Sequence, residues 1–250
     1  MEFGPEQLPP QLTDALRSGR VRTPRGESAL HSNVSLDEAL ELYNAVRRIK
    51  PLVSAEVGFA QGISTLAILK ALEDNGQGVH HVMDPFQSRY ENAGLAMVEA
   101  AGLKHRLHFY EKEAEHVVPS LPRLQFGFID ASHLFDLTLV EFVLMDKKLD
   151  VGGVVGLHDL WMPSLQRVYR YIMANRAYRQ FIVAPRTASL PSPRTEARHA
   201  LAKLLRRAQP LERIMNVDFL QPWSEMGVPN MVLLEKTAND ERDWKHYARF

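Results

Sequence analysis

Residues 55–65 read AEVGFAQGIST, and this stretch indicates the fold of the chain. The apolar run Val53–Val57 predicts a short buried strand, and Gly58 and Gly62 follow it. Glycine allows a tight turn and a close approach of the backbone to a ligand. Residues 63–72 then predict a helix, whose first turn offers unpaired N–H groups. The order of strand, glycine turn and helix is typical of the first unit of an α/β sheet.

The same alternation of strands and helices continues along the chain. Short apolar runs predict further strands at residues 80–83, 107–110, 126–129, 154–157, 180–183 and 231–235. Helical spacing of apolar residues predicts helices between them, at residues 90–101, 137–149 and 165–175. We therefore expect an α/β fold, with a Rossmann-like, doubly wound and mostly parallel sheet and flanking helices.

Segments outside this alternation suggest the domain organisation. Residues 1–34 are rich in proline and charge, so we expect an N-terminal arm or lid there, with a short helix at 11–18. The main domain is expected over residues 35–250. It contains a helical, basic insertion before the last strand, at 185–227, which is a possible lid over a substrate. The charged tail at 239–250 could form a helix at a subunit contact.

The first helix of the main domain carries clear signals at both ends. Ser35 is a favourable N-cap residue, and Glu38 stands three positions later, so the pair predicts a capping box. Pro51 cannot continue a helix and is expected to end it.

The composition excludes several classes of protein. Of the 250 residues, 45% are hydrophobic and 24% are charged, which is usual for a globular protein. Basic and acidic side chains balance at 30 each, so a nucleic-acid partner is not expected. The chain has no cysteine, which excludes disulfides and thiolate chemistry, and we expect a cytoplasmic location. No apolar run is long enough to span a membrane, so no membrane partner is expected. A homodimer is a possible assembly of the chain.

Acidic and histidine side chains follow the predicted strands at the point where each ends. Ligands of open parallel sheets bind outside the carboxyl ends of the strands. A purely structural sheet has no reason to place such residues at successive strand ends, so we expect one site there. Its candidate residues are Glu56, Gly58, Gly62 and Ser64 around the first turn, then Asp84, Glu113, Asp130, His133, His158 and Asp159.

The first two strand ends suggest a nucleoside ligand with a cationic group. Glu56 precedes the first glycine, where a carboxylate suits a cation and repels a diphosphate. Ala60 interrupts the glycine pattern of dinucleotide-binding enzymes. Asp84 could accept both hydroxyl groups of a ribose, and Glu113 could meet an adenine amino group.

Four pieces of sequence together resemble the class I S-adenosylmethionine-dependent methyltransferases. They are residues 55–65, Asp84, the stretch FIDASH at 128–133, and residues 152–159, which end in His158 and Asp159. The chain is most similar to the small-molecule O-methyltransferase branch, whose fourth strand ends in Asp-x-x-His and whose fifth ends in His-Asp. The resemblance covers about residues 35–175 and 229–236.

The resemblance implies a role for each cofactor-binding candidate. The loop with Gly58 and Gly62 would hold the methionine part of S-adenosylmethionine, with Glu56 near its ammonium group. Asp84 would take the ribose hydroxyls and Glu113 would lie by the adenine. The strand that ends in Asp130 would form the floor of the cofactor and substrate pocket, and residues 35–250 would be a methyltransferase domain.

Methyl transfer to an oxygen requires an aligned acceptor and a means of handling its proton. His133 and His158 are the candidate bases, since imidazole titrates near neutral pH. Asp130 and Asp159 could instead hold Mg²⁺, which would bind the acceptor hydroxyl and lower its pKa. Metal-dependent relatives carry an asparagine after the second aspartate, where this chain has Leu160. The missing ligand could come from Asp136, His133 or His158.

The sequence therefore predicts an O-methyltransferase acting on a small hydroxylated compound, such as a sugar or a secondary metabolite. Trp161, Met162 and Tyr169 could form the wall of the acceptor pocket. Two alternatives belong to other classes. A non-catalytic S-adenosylmethionine-binding module would bind the cofactor without turnover. A nucleotide-cofactor oxidoreductase would share the sheet, but Glu56 and the interrupted glycine pattern disfavour it.

Overall fold

The computed structural model describes residues 3–183 and 229–250, in which helices and strands alternate from residue 53 onward. The helices are α1 (Pro10–Ser18), α2 (Leu36–Ile49), α3 (Ile63–Asn75), α4 (Ala93–Ala100), α5 (Ala114–Val117), α6 (Phe135–Lys148) and α7 (Pro163–Asn175). The strands are β1 (Arg20–Thr23), β2 (Gly26–Ala29), β3 (Val53–Val57), β4 (Val79–Met83), β5 (Leu107–Tyr110), β6 (Leu124–Ile129), β7 (Leu149–Leu157), β8 (Tyr178–Gln180) and β9 (Val232–Lys236). None of these helices is long and apolar enough to cross a membrane.

Strands β3 to β9 form one sheet in the order β5-β4-β3-β6-β7-β9-β8. Neighbours from β5 to β7 pair in parallel, and β9 runs antiparallel to both β7 and β8. The predicted mostly parallel, Rossmann-like sheet is confirmed. The strand order reverses between β3 and β6, and ligands bind outside the carboxyl ends of the strands at such a point.

Helices cover both faces of the sheet. Successive side chains of a strand point to opposite faces, so Phe126 and Phe128 pack under α2 and α3, whereas Ile129 packs under the helices α5 to α7. Each face thereby has its own buried cluster of apolar residues. The sheet therefore lies between two layers of helices, and the residues that follow its parallel strands lie together at its carboxyl edge.

The start of α2 has the predicted geometry. The Ser35 side chain accepts a hydrogen bond from the backbone N–H of Glu38, and the Glu38 carboxylate accepts one from the backbone N–H of Ser35. The helix ends at Ile49, before Pro51. The predicted capping box is therefore confirmed.

Residues 3–34, expected as an arm or lid, contain α1 and a two-stranded hairpin of β1 and β2. The predicted short helix is present, whereas the hairpin was not predicted. Leu12 and Val21 are buried in the same core cluster as α2 and α3. The buried side chain of Gln61 ties this segment to the glycine turn, because it donates to Ala29 O and accepts from His31 N.

Two predicted helices differ from those observed. The helix expected at 90–101 is split into a 3₁₀ turn at Gln87–Tyr90 and α4, because Glu91 and Asn92 adopt left-handed backbone conformations. The prediction of a helix at 239–250 is wrong. That segment is irregular and is held against α7, where the Asn175 side chain pairs with the backbone of Ala248. The insertion predicted at 185–227 lies outside the described residues.

Candidate active site

The turn after β3 brings the ends of β3 and β6 together. Gly58 has a φ of 95°, a region that side chains disfavour. A Cβ atom added to Gly58 would lie 2.0 Å from the carbonyl oxygen of Asp130. Gly62 begins α3 with a φ of 81° and lies against Gly94. The first glycine is therefore required for the close approach of two strand ends, and it places Asp130 beside the glycine turn.

Glu56 lies beneath this turn and is completely buried. Its Oε1 accepts a hydrogen bond from Ser64 Oγ at 2.5 Å. Its Oε2 accepts one from Thr65 Oγ1 at 2.6 Å and contacts His80 Nε2 at 2.9 Å. Ser64 and Thr65 belong to the first turn of α3. The carboxylate therefore ties β3 to the start of α3 and has no solvent-facing atom in this structure.

Asp84 follows β4 and braces the glycine turn from the other side. Its Oδ2 accepts hydrogen bonds from the backbone N–H groups of Phe59 and Ala60, at 3.0 and 2.9 Å, and its Oδ1 accepts one from Phe86 N. A carboxylate has about four acceptor positions, so one remains for a ligand.

Glu113 lies three residues beyond the end of β5, where it is the residue before α5. Its side chain is more than half exposed and lies 3.9 Å from the His116 ring. It shares the carboxyl edge of the sheet with the other candidates but contacts none of them. Glu113 therefore remains a candidate for direct contact with a ligand, without a role in the contacts among the other site residues.

Asp130, His133 and Asp159 form a tight cluster at the ends of β6 and β7. Their ligand atoms lie within 4.8 Å of one another. His133 Nε2 is 3.2 Å from Asp130 Oδ1 and 2.9 Å from Asp159 Oδ2. The cluster contains three of the four residues predicted at these two strand ends.

His158 lies behind this cluster and is buried. Its Nδ1 lies 3.3 Å from Asp130 Oδ1 and 3.5 Å from Asp159 Oδ1, but it forms no regular hydrogen bond. Its Nε2 faces the opposite way, 3.4 Å from Glu38 Oε2 and 3.3 Å from Asn230 Nδ2. The imidazole is thus enclosed by three carboxylates and one amide.

The charges of the cluster stabilise one another. Hydrogen bonding to Asp130 and Asp159 raises the pKa of His133 to about 9. Burial would lower the pKa of His158, but its polar contacts with Asp130 and Glu38 raise it to about 10. Burial would likewise raise the pKa values of Asp130 and Glu38. The contacts of Asp130 with His133 and His158, and those of Glu38 with His158 and Ser35, bring both pKa values to about 2. Contact with His133 also lowers the pKa of Asp159.

The backbone at the cluster is strained. His133 and Asp159 have φ values of 58° and 55°, which non-glycine residues adopt at a cost of about 1 kcal/mol or more. Local contacts hold both residues. Ser164 Oγ donates to the His133 carbonyl at 2.6 Å, and Trp161 Nε1 donates to Asp159 Oδ1 at 3.0 Å.

Exposed apolar side chains, here called the apolar rim, adjoin the cluster at the carboxyl edge of the sheet. Trp161 is 63% exposed and Leu134 is 57% exposed, although both are large apolar side chains. Phe86 and Leu36 lie at the same edge of the sheet and are also exposed. Tyr169, expected in the acceptor wall, is instead buried in the core, where its hydroxyl accepts a hydrogen bond from Gln180.

Sequence reasoning missed two residues of the site, Glu38 and Asn230. Glu38 was fully accounted for by its role in the capping box. Asn230 stands just before β9, which runs antiparallel, so the beginning of β9 lies at the same edge as the carboxyl ends of the other strands. Its Nδ2 donates to Glu38 Oε1 at 3.3 Å and to Asp159 Oδ1 at 3.5 Å. The direction of β9 is the signal that could have identified Asn230.

Comparisons with known proteins identify the family of the chain. Residues 55–160 match the family model described as a methyltransferase domain. The chain is 30% identical over 175 residues to caffeoyl-CoA O-methyltransferase 2 of Petunia hybrida, a match that covers 65% of this chain and 69% of the relative. It is 27% identical over 177 residues to a flavonoid 3',5'-methyltransferase of Vitis vinifera, with 67% and 73% covered.

Solved structures share the fold. A methyltransferase of Podospora anserina bound to S-adenosylhomocysteine has a TM-score of 0.58 at 16% identity, with 71% of this chain and 84% of that chain covered. An O-methyltransferase of Bacillus cereus bound to the same product has a TM-score of 0.54 at 17% identity, with 61% and 76% covered. Together with the curated relatives, these matches place the chain in the class I S-adenosylmethionine-dependent O-methyltransferases, enzymes that transfer a methyl group to a hydroxyl of a small molecule.

Proposed function

We propose that the acceptor hydroxyl is bound and deprotonated at the cluster of Asp130, His133 and Asp159. The observation that carries this proposal is the convergence of their ligand atoms within 4.8 Å, at the crevice where the strand order reverses. Gly58 touches the backbone of Asp130, so a cofactor held by the glycine turn would lie beside an acceptor held by the cluster. In-line displacement needs this arrangement of acceptor and methyl group.

The donor set of the cluster suits a divalent cation such as Mg²⁺. Asp130 and Asp159 supply the oxygen ligands that hard cations prefer, and His133 supplies the third ligand that Leu160 does not. The buried Nδ1 of His158 faces the same two carboxylates without a regular hydrogen bond. When bound, such a cation would attract the acceptor oxygen, lower the pKa of its hydroxyl and favour neutral His133.

Where no cation is bound, we assign proton transfer to His133 rather than to His158, since a nitrogen that coordinates a cation cannot also accept the proton. The side chain of His133 is 26% exposed, whereas that of His158 is 6% exposed and is enclosed by Glu38 and the two aspartates. A base must come within hydrogen-bonding distance of the proton it removes. An acceptor entering the crevice can reach His133, and His158 lies behind it.

The apolar rim supports an aromatic or otherwise flat acceptor with a hydroxyl group. Trp161 and Leu134 expose apolar surface next to the polar cluster, which is the usual composition of a small-molecule site. The named relatives include a flavonoid methyltransferase and caffeoyl-CoA O-methyltransferases. A phenolic hydroxyl is therefore the acceptor proposed for this chain, in preference to the sugar that the sequence left open.

The cofactor is proposed to lie along the glycine turn between Gly58 and Gly62. Asp84 retains one acceptor position for a ribose hydroxyl. Glu113 would be a contact at the adenine end. Glu56 is proposed to act from beneath, by holding Ser64 and the first turn of α3, because both of its oxygens are already engaged.

Turnover with a vicinal diphenol, measured after chelation and after addition of Mg²⁺, tests this proposal. His133→Ala should lower kcat by about 10²-fold or more, the usual contribution of a positioned acid or base. Asp130→Asn and Asp159→Asn should abolish the response to Mg²⁺. Asp136→Asn is the matched control, because Asp136 is exposed at the start of α6 and lies outside the cluster.

Two results would count against the site assignment. Full activity of His133→Ala would exclude it as the base, and turnover that chelation leaves unchanged would exclude the cation. Calorimetric titration with S-adenosylhomocysteine, with NAD as the control ligand, separates the methyltransferase from the oxidoreductase alternative. Cofactor binding without turnover on any acceptor would favour the non-catalytic module.

The cytoplasmic location and the homodimer stay predictions. Cell fractionation would test the first. Sedimentation of the purified chain would test the second, because the mass of one chain is 28.4 kDa.

A further inference from the structure

The ring of His158 is held from both sides by residues of different elements. On one side, Nδ1 faces Asp130 and Asp159 at 3.3 and 3.5 Å. On the other side, Nε2 faces Glu38 Oε2 at 3.4 Å and Asn230 Nδ2 at 3.3 Å. The orientation of a histidine ring is set by the partners of the nitrogen that does not face the site. Glu38 can accept from that nitrogen, and Asn230 holds Glu38 in place by donating to its Oε1.

Glu38 makes contacts beyond those of the capping box. A capping box needs only that a carboxylate or amide oxygen accepts one backbone N–H. The side chain of Glu38 is only 16% exposed, and its Oε1 accepts a hydrogen bond from Asn230. Asn230 in turn reaches Asp159 Oδ1 and accepts the backbone N–H of Trp161. One connected set of contacts thus joins the start of α2, the end of β7 and the start of β9.

We propose that Glu38 and Asn230 are positioning residues that hold His158 against the carboxylates of Asp130 and Asp159. Neither residue touches the glycine turn, so neither has a direct role in binding the cofactor. Through His158 they fix the spacing of the two carboxylates that meet the acceptor. This inference rests on the proposed function, because it takes the cluster of Asp130, His133 and Asp159 as the place of reaction.

The test compares two neighbouring carboxylates at the start of α2. Glu38→Gln keeps a side chain that can complete the capping box but removes the charge that faces His158. Asp37→Asn removes a charge from the same helix turn, where Asp37 is exposed. We expect Glu38→Gln to lower kcat by tenfold or more and to leave the KM for S-adenosylmethionine within twofold. We expect Asp37→Asn to leave both constants within twofold.

A spectroscopic measurement at fixed pH reports on the ring itself. In protein labelled with ¹⁵N-histidine, the His158 signals are identified by their loss in His158→Ala. We expect Glu38→Gln and Asn230→Ala to shift the Nε2 signal of His158 and Asp37→Asn to leave it unchanged. We also expect the double variant of Glu38 and Asn230 to lose no more kcat than the worse single variant, because residues of one network are not additive.

Unchanged His158 signals in both Glu38→Gln and Asn230→Ala would overturn the proposal, whatever their activity. A kcat of Glu38→Gln equal to that of Asp37→Asn would also overturn it. Failure of the proposed function is distinguishable from these outcomes, since it would appear as absent turnover in the unaltered chain while the His158 signals still report the contacts.

Discussion

Substitution of Gly58 by alanine should lower the free energy of unfolding and weaken cofactor binding. The size of the stability loss can be worked out from the contacts of Gly58. The φ of 95° at Gly58 costs an L-residue about 1–2 kcal/mol. The new Cβ atom would stand 2.0 Å from the Asp130 carbonyl oxygen, and ordinary contact begins at 3.4 Å, so the two strand ends must separate by about 1.4 Å.

That separation strains the hydrogen bonds at the strand ends. Gly58 N donates to Met83 O and Asp130 N donates to Val57 O, both at 2.9 Å. Overpacking costs about 1–3 kcal/mol, and each weakened hydrogen bond adds up to about 1 kcal/mol. The free energy of unfolding of Gly58→Ala should therefore fall by about 2–7 kcal/mol.

Gly76→Ala is the matched control. Gly76 ends α3 with a φ of 69°, and a Cβ atom there would meet nothing within 4 Å. Only the backbone strain applies, so the loss should be about 1 kcal/mol. Urea denaturation measures both variants, and calorimetry with S-adenosylhomocysteine measures the site. Affinity should fall at least tenfold in Gly58→Ala and stay unchanged in Gly76→Ala. If the two variants lose equal stability, the close approach of Gly58 to Asp130 is not what requires this glycine.

Two further substitutions test buried polar groups at opposite ends of the sheet. Glu56→Gln should cost about 1–3 kcal/mol and weaken binding of S-adenosylhomocysteine, because the buried carboxylate accepts hydrogen bonds from Ser64 and Thr65 and contacts His80, and an amide has only one accepting oxygen. Undiminished stability in urea denaturation would contradict this account. Asp146→Asn should cost about 3–5 kcal/mol, because the buried carboxylate neutralises Arg176 and Lys236 and accepts from Tyr178. The affinity of Asp146→Asn for S-adenosylhomocysteine should stay unchanged, since Asp146 lies at the opposite end of β7 from His158. A change in affinity beyond twofold would contradict this, because it would show that the two ends of the sheet are coupled.

Local patterns in the sequence were sufficient to predict the parallel part of the central sheet. Strands β3 to β6 and the second half of β7 each contain a short, mostly apolar run, and α3, α4 and α6 have helical spacing, so period and length identify these elements without tertiary information. The four-residue helix α5 and the first half of β7 were not predicted. The start of α2 was predictable for the same reason, because Ser35 and Glu38 lie in one turn. The break at Glu91 and Asn92 was not predictable, since both residues are compatible with a helix and their left-handed conformation depends on packing.

The candidate site was partly determined by the sequence alone. The carboxyl ends of parallel strands meet at one edge, so Asp130, His133 and Asp159 could be expected together before their distances were known. Their order along the chain also indicated the methyltransferase family.

The partners of these residues were decided only by the tertiary structure. Glu56 looked available to a ligand, but the return of α3 and β4 buries it against Ser64, Thr65 and His80. Glu38 and Asn230 are separated by 192 positions and meet at His158 because β9 inserts antiparallel beside β7. A one-dimensional pattern records which side chains follow each strand. It does not record which groups the folded chain brings against them, because those contacts depend on how distant elements pack.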